Sequence, residues 1–97
     1  MFEWSTNIDE RDIMQQGISV FIGAVSDEKV KTAKIVETLK KVKGVKTIYE
    51  LTGTLDLLIY AQSDAIREIN TLVEAIRACE GVKETTTYLI LETTENK

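Results

Sequence analysis

The chain has 97 residues, of which 43% are hydrophobic and 29% are charged, a composition typical of one globular domain and not of a disordered segment. Its formal net charge of −4 argues against binding nucleic acid through phosphate neutralisation. No apolar run approaches the roughly 18 residues of a membrane span, and the N-terminus lacks the basic and apolar regions of a signal peptide. We therefore expect a cytoplasmic protein that contacts neither nucleic acid directly nor a membrane.

The sequence offers few residues that could support metal, redox or catalytic chemistry. Histidine is absent and Cys79 is the only cysteine, which excludes an intramolecular disulfide, a cysteine zinc cluster and the usual transition-metal sites. Cys79 falls on an apolar helical stripe, where it is expected to be a small core residue. Glu50 and Asp56 could share acid and base duties across a hairpin, but this is a weak enzyme signature. We predict no metal, no cofactor and no catalytic residue.

The first elements in chain order are an acidic leader and a strand. Residues 1–16 carry scattered large apolar side chains, and Asn7 with Glu10 resembles a capping box whose short helix Gly17 could end. Ile18–Val25 then predicts a central strand that is buried on both faces, because valine, isoleucine and phenylalanine are dense in it.

Two similar halves follow. Ser26 or Asp27 is expected to cap a first helix, and Asp64 a second, each before an apolar stripe with helical spacing. The stripes are Ile35, Val36, Leu39 and Val42 in the first helix, and Ile66, Ile69, Leu72, Val73, Ile76 and Cys79 in the second. The tetrapeptide at residues 43–46, Lys-Gly-Val-Lys, returns at 80–83 as Glu-Gly-Val-Lys, so that Gly44 and Gly81 would each end a helix before a strand.

The remaining strands are predicted at Val45–Leu51, Leu55–Ala61 and Lys83–Glu92. The order βαββαβ, with right-handed crossovers, places both helices on one face of a four-stranded antiparallel sheet, which is a ferredoxin-like fold. We therefore divide the chain into an acidic leader at 1–16, a domain at 17–92 and a polar tail at 93–97.

Lysines crowd the first predicted helix and its exit, opposed there only by Glu37. They are Lys29, Lys31, Lys34, Lys40, Lys41, Lys43 and Lys46. This pattern is typical of a solvated helix face, and the alternative is a surface that meets an acidic partner.

Alternation along the strands separates two faces of the sheet. One parity is uniformly aliphatic and suits the face under the helices: Ile18, Val20, Ile22, Leu55, Leu57, Ile59, Leu89 and Leu91. The other parity contains Phe21, Val25, Tyr49, Leu51, Leu58, Tyr60, Tyr88 and Ile90. An exposed apolar patch of that size marks an interaction surface, so we predict a dimer through this face, with Phe21, Tyr49, Leu58, Tyr60, Tyr88 and Ile90 in the interface. The alternative is that the leader folds over it.

The segment at residues 51–56, Leu-Thr-Gly-Thr-Leu-Asp, joins two of the predicted strands. Gly53 can adopt positive φ and leaves its amide accessible, Thr52 adds a hydroxyl, and Asp56 supplies a charge at an apolar strand start. A carboxylate beside such amides suits a small zwitterion. The alternative is that Asp56 merely satisfies turn amides.

Together these landmarks resemble the effector-binding module of the leucine-responsive regulatory protein/AsnC family. The resemblance rests on Gly44-Val45, on the run at 49–57 with Gly53 and Asp56, and on Gly81 with the threonines before the last strand. It covers about residues 17–92. Family members typically carry a helix-turn-helix domain, which this chain does not, so the chain is similar to the stand-alone modules.

The resemblance implies dimers built through the sheets, rings of dimers, and a small effector, usually an amino acid, held between dimers. The effector contacts would come from Thr52, Gly53 and Asp56, with Thr85 to Thr87 as a lesser candidate segment, in which Thr85 and Thr87 are the predicted contacts. It also implies transcriptional regulation of metabolism, by assembly of the chain itself or with full-length regulators. The identity of the effector and the regulated genes are left open. Two other functions are compatible with the sequence: an amino-acid-sensing domain like those of biosynthetic enzymes, and a small dimeric-barrel enzyme with a cavity between helices and sheet.

Overall fold

The strands and helices follow one another in the order βαββαβ in the computed structural model, which describes residues 17–96. The elements are β1 (Ile18–Ser26), α1 (Thr32–Leu39), β2 (Val45–Glu50), β3 (Leu57–Ser63), α2 (Ile66–Arg77) and β4 (Val82–Leu89). The predicted ferredoxin-like fold is confirmed. The predicted leader with its short helix lies outside the described residues, and the domain boundaries stay a prediction.

The four described strands form one sheet, in which their order is β2-β3-β1-β4. All neighbouring strands are antiparallel, and β1 is paired on both sides: Ile18 to Ala24 with β3, and Val20 to Ser26 with β4. β1 is thus an inner strand, as predicted, while β2 and β4 form the edges; the predicted burial on both faces is wrong, because Phe21 and Val25 are only half-buried.

The hydrophobic core lies between one face of this sheet and both helices. Among residues 17–96 its buried members are Val20, Ile22, Ala24, Ile35, Leu39, Leu57, Ile59, Ala61, Ile69, Leu72, Ile76 and Cys79. Here the apolar residues that alternate along the strands pack against the apolar residues that recur every 3.6 positions along the helices. The predicted positions of the helix stripes in the core are confirmed for Ile35, Leu39, Ile69, Leu72, Ile76 and Cys79, whereas Ile66 is 54% exposed.

Three leucines that the alternation placed under the helices are not buried there: Leu55 lies over the other face, whereas Leu89 pairs with Val20 and shares its face but is exposed, as is Leu91. A Cβ added to Gly23 would be 2.8 Å from Leu55 Cδ1, and Gly23 shares the parity of Phe21, so Leu55 covers the opposite face of the sheet. It precedes β3, where the loop breaks the alternation. Leu89 ends the edge strand β4 and is 49% exposed, and Leu91 lies beyond that strand and is 88% exposed.

Neither helix has the predicted aspartate cap. α1 begins after Lys31, and the Asp27 carboxylate instead accepts the Lys29 amide in the preceding turn, at 2.9 Å. α2 begins after Ala65 without a side-chain cap.

Glu68, inside the first turn of α2, reaches back to the residues that precede the helix. Its carboxylate accepts the Ser63 hydroxyl at 2.6 Å and the Asp64 amide at 3.4 Å. The Ser63 hydroxyl is the main reason that the pKa of Glu68 lies below its usual value, with the Asp64 amide adding to it. Both hydrogen bonds join residues that are close in sequence, and both are exposed to solvent.

The repeated glycines close the two halves alike. Gly44 has φ +99° and Gly81 has φ +96°, and each directly precedes a strand, β2 or β4. A Cβ on Gly81 would lie 2.8 Å from Ile35 Cγ1 and 2.9 Å from Val30 Cβ. Glycine is therefore required there for both backbone conformation and space.

No helix among the described residues is long and apolar enough to cross a membrane.

Replacement of Gly81 by alanine is expected to destabilise the domain by about 2–4 kcal/mol, because left-handed backbone strain adds to overpacking against Ile35. Gly53→Ala is the matched control, since Gly53 also has positive φ, +118°, but has no atom within 4 Å of its added Cβ. The free energy of unfolding measured in urea should be clearly lower for Gly81→Ala than for Gly53→Ala. Equal losses would mean that the contact with Ile35 relaxes without cost.

Candidate functional site

The loop between β2 and β3, residues 51–56, is closed by backbone hydrogen bonds on two sides. The Leu51 amide donates to the Asp56 carbonyl oxygen at 2.9 Å, and the Asp56 amide donates to the Ala24 carbonyl oxygen at 3.0 Å. The loop is therefore attached both to itself and to the C-terminal end of β1. The predicted hairpin is confirmed, although β3 begins two residues later than expected, at Leu57.

Asp56 is the anchor of this loop. Its Oδ2 atom accepts the backbone amide of Ser26 at 2.7 Å, a contact across 30 positions of the sequence. Asp56 is partly buried, and within residues 17–96 its other carboxylate oxygen has no hydrogen-bond partner. The carboxylate is thus held by one oxygen, and the second is available for a further partner.

Thr52 and Gly53 form the exposed tip of the loop. Gly53 has φ +118°, and nothing lies within 4 Å of the position where its Cβ would be. Thr52 and Gly53 are both exposed. The tip is therefore exposed and the space beside Gly53 is open, while the role of its backbone amides stays a prediction.

Thr85 and Thr87 lie on β4, opposite Ala24 and Ile22 of β1. They line a cleft of about 570 Å³ between β4 and α2, whose further lining includes Val73 and Arg77. The hairpin residues are not part of this cleft. Arg77 had no signal in the sequence beyond its place in the last turn of α2.

The two sets of predicted contacts flank the same end of β1. Asp56 bonds to Ala24 and Ser26 from the β3 side, and Thr85 pairs with Ala24 from the β4 side. One strand therefore separates them within a single chain. Ser26 could not be predicted as the residue that holds Asp56, because a backbone amide leaves no signature in a sequence.

The sheet face away from the helices carries the predicted aromatic cluster. Phe21 pairs with Tyr60 and with Tyr88, and the Phe21 and Tyr60 rings lie 5.4 Å apart. Tyr49 is 47% and Tyr88 51% exposed. Leu58 pairs with Tyr49, and Ile90 donates its amide to the Ser19 carbonyl oxygen, which places both beside these aromatics. The described residues thus leave a large apolar surface on this face.

Cys79 and Glu50 are the remaining candidates from the sequence. Cys79 is buried in the core and donates to the Ala75 carbonyl oxygen at 3.4 Å, and burial raises the pKa of its thiol. Glu50 is exposed on β2, and the Asp56 carboxylate is bonded to Ser26 instead. Within residues 17–96 no cluster of three potential metal ligands is present.

Comparison with known proteins gives a family and a fold. The sequence matches the family model described as the Lrp/AsnC ligand binding domain over residues 19–97. A homocitrate synthase of Saccharolobus islandicus is 35% identical over 75 residues, which are 77% of this chain but 16% of that enzyme. The chain therefore spans only about one sixth of the length of the curated relatives that it matches.

Two solved structures share the fold. The protein TTHA0845 from Thermus thermophilus superposes with a TM-score of 0.73 at 21% identity, over 81% of this chain and 99% of that one. A Neisseria meningitidis transcriptional regulator, solved as a complex with L-methionine, gives a TM-score of 0.75 at 17% identity, over 99% of this chain and 63% of that one.

Truncation of Asp56 to alanine is expected to destabilise the domain by about 1.5–3 kcal/mol, because the Ser26 amide loses a charged acceptor. Asp27→Ala is the matched control: it removes the bond to the Lys29 amide, which is local and exposed. Urea unfolding should show a smaller loss for that control. Similar losses for both variants would show that the Asp56 bond does not fix the hairpin on β1.

Proposed function

The chain belongs to the Lrp/AsnC ligand binding domain family, and we propose that it is a sensor module that binds an amino acid and couples binding to its own assembly. In this proposal the module regulates transcription of metabolic genes indirectly, through its own oligomers or through co-assembly with full-length regulators of the family. Its overall negative charge of −4 is unsuited to direct contact with DNA.

The observation that carries the proposal is the anchored carboxylate of Asp56 beside an open glycine tip. Ser26 holds Oδ2 at 2.7 Å, so the orientation of the carboxylate is set before any ligand arrives. The tip at Gly53 has no neighbour within 4 Å of its Cβ position, which leaves its backbone accessible.

This arrangement suits the two charges that every amino acid carries. The ligand ammonium can donate to the Asp56 oxygen that has no hydrogen-bond partner within residues 17–96, and the ligand carboxylate can accept from amides near Thr52 and Gly53. The L-methionine complex of the Neisseria meningitidis regulator, which has the same fold, supports an amino acid as the ligand class. The hairpin would bind the ammonium and carboxylate groups that all amino acids share, and other groups would recognise the ligand side chain.

We assign those other groups to a neighbouring dimer. Thr85 and Thr87 line a cleft that is separated from the hairpin by β1. One chain therefore does not enclose a ligand between the two sets of residues. A hairpin from one dimer that approaches the Thr85 region of another would complete the site and make binding dependent on assembly.

Dimers form, in this proposal, through the aromatic face of the sheet. Phe21, Tyr49, Leu58, Tyr60, Tyr88 and Ile90 lie on that side, and Tyr49 and Tyr88 are about half exposed. Burial of apolar surface contributes roughly 25 cal/mol per Å², so pairing two such faces would be strongly favourable. Rings of dimers would then bring hairpins of different dimers together.

A second candidate is a sensor that acts on a biosynthetic enzyme, and the identity of 35% with a segment of homocitrate synthase favours it. The ligand site would be the same in both cases. A dimeric-barrel enzyme is less well supported, since the layer between helices and sheet is filled by side chains such as Ile22, Ile35 and Ile59, each 0% exposed.

A thermal-shift screen of the twenty amino acids should identify a ligand that raises the unfolding temperature by mass action. Calorimetry with that ligand is expected to show Asp56→Asn weakened by about 1.5–3 kcal/mol, the usual worth of a hydrogen bond to a charged group. Asp64→Asn, at the other end of the sheet, is the matched control and should bind like the wild type. A ligand that binds Asp56→Asn with unchanged affinity would leave Asp56 with a structural role only.

Replacement of Tyr88 by aspartate is expected to convert the oligomer to monomer, because dimerisation would bury an unpaired charge. Tyr88 is 51% exposed in the single chain, so the monomer should still fold. Asn70→Asp, on the exposed surface of α2, adds the same charge and should leave the mass unchanged. Light scattering measures the molar mass of both variants and of the wild type. A wild-type protein that is monomeric at micromolar concentration contradicts the interface.

A further inference from the structure

We propose that the acidic leader, residues 1–16, docks in a lysine-lined cleft at the end of the sheet opposite to the hairpin. The cleft lies between α2 and the turn that leads from α1 to β2, and its volume is about 720 Å³. It is separate from the effector site proposed above, which is at the C-terminal end of β1.

The cleft has an apolar floor and a charged rim. Val42, Leu72 and Ala75 contribute apolar surface, and the rim carries Lys41, Lys43 and Lys46 together with Asp64 and Glu68. Glu68 accepts hydrogen bonds from Ser63 and from the Asp64 amide, and nearby Lys43 contributes to lowering its pKa. Three lysines face the two carboxylates of Asp64 and Glu68, of which Glu68 already accepts hydrogen bonds, so the rim keeps a net positive charge.

The leader has the complementary composition. It carries the carboxylates Glu3, Asp9, Glu10 and Asp12 against the single cation Arg11, and the apolar side chains Phe2, Trp4, Ile8, Ile13 and Met14. Carboxylates can pair with the lysine rim while apolar side chains cover the floor. A surface that is apolar in its centre and polar at its edge is the usual pattern of a protein contact.

The leader joins the domain beside this cleft. A Cβ added to Gly17 would collide with the carbonyl oxygen of Ser63 and would lie 3.4 Å from Asp64 Oδ1, and both residues line the cleft. The five Cα-to-Cα steps from Asp12 to Gly17 span at most about 17 Å when the chain is extended. The acidic part of the leader is thus tethered close to the lysine rim, which raises its effective concentration there.

A second groove also borders Gly17, but its charge is unsuited to the leader. It lies on the aromatic face, has a volume of about 780 Å³, and is lined by Phe21, Tyr49 and Tyr60. Among the described residues that line this groove, only Glu92 is charged, and it would repel an acidic segment. The charges therefore direct the leader to the lysine cleft and leave the aromatic face available for another copy of the chain.

Trp4 makes the proposal testable in the full-length chain, because it is the only tryptophan and lies in the leader. Docking should shield Trp4, shift its emission to shorter wavelength than that of a free solvated indole, and reduce quenching by acrylamide. High salt should partly reverse this, since the screening length falls from about 10 Å at 0.1 M to about 3 Å at 1 M.

The double variant Lys41→Glu/Lys46→Glu should release the leader, with a red shift of the Trp4 emission and stronger quenching. Each lost exposed ion pair should lower the docking equilibrium about two- to fivefold. Lys29→Glu/Lys31→Glu is the matched control: both lysines are exposed, lie before α1 and do not line the cleft, so the emission should stay unchanged.

A charge swap separates pairing from a general loss of positive charge. Adding Glu10→Lys/Asp12→Lys to the released variant should restore the shielded emission, because the pairs are re-formed with exchanged signs. Far-UV circular dichroism of each variant confirms that the domain is folded.

Three outcomes overturn the proposal. They are a wild-type emission equal to that of a free solvated indole, a shielded emission that the cleft variants do not change, and equal effects of the two lysine pairs. The second outcome would place the leader on the aromatic face or elsewhere.

Discussion

The structure depends on β1, which like β3 is paired on both sides and is buried on the face under the helices. Val20, Ile22 and Ala24 are each 0–1% exposed. Full burial of a valine or isoleucine side chain contributes about 1.5–3 kcal/mol, so this short segment contributes a large part of a stability that is typically about 5–15 kcal/mol. The register of β1 with β3 and β4 then positions every residue discussed above. A shift by one residue would exchange the core face for the aromatic face.

The fold was largely predictable from the sequence because its signals are periodic and repeated. Alternation in β1 and β3, helical stripes that include Ile35 and Ile76, and a glycine at the same place in each half all indicate the same architecture. Such agreement between local and global preferences is typical of a sequence with one stable fold. The positive φ of Gly44 and Gly81 shows that the repeated tetrapeptide has a structural cause.

The features that could not be predicted depend on contacts between distant segments or on irregular backbone. Alternation predicts the face of a residue only inside a strand, and Leu55 precedes one, so it lies over Gly23 on the other face. A carboxylate near a helix start has several amides within reach, and Asp27 bonds within the preceding turn instead of capping α1. For the hairpin, the sequence indicates Asp56 but not its partner Ser26, which is 30 positions away.

The structural and binding interpretations of Asp56 are compatible. A carboxylate has two oxygens, and only Oδ2 is engaged by the Ser26 amide. That bond restricts the rotation of the side chain and fixes the direction in which Oδ1 presents its lone pairs. A ligand ammonium would then meet an acceptor whose ordering cost has already been met in folding, which favours affinity. The amide is that of Ser26, whose strand also pairs with Thr85 through Ala24, so β1 links the hairpin to the second predicted contact region. The same strand therefore holds the core together and sets the geometry of the proposed site.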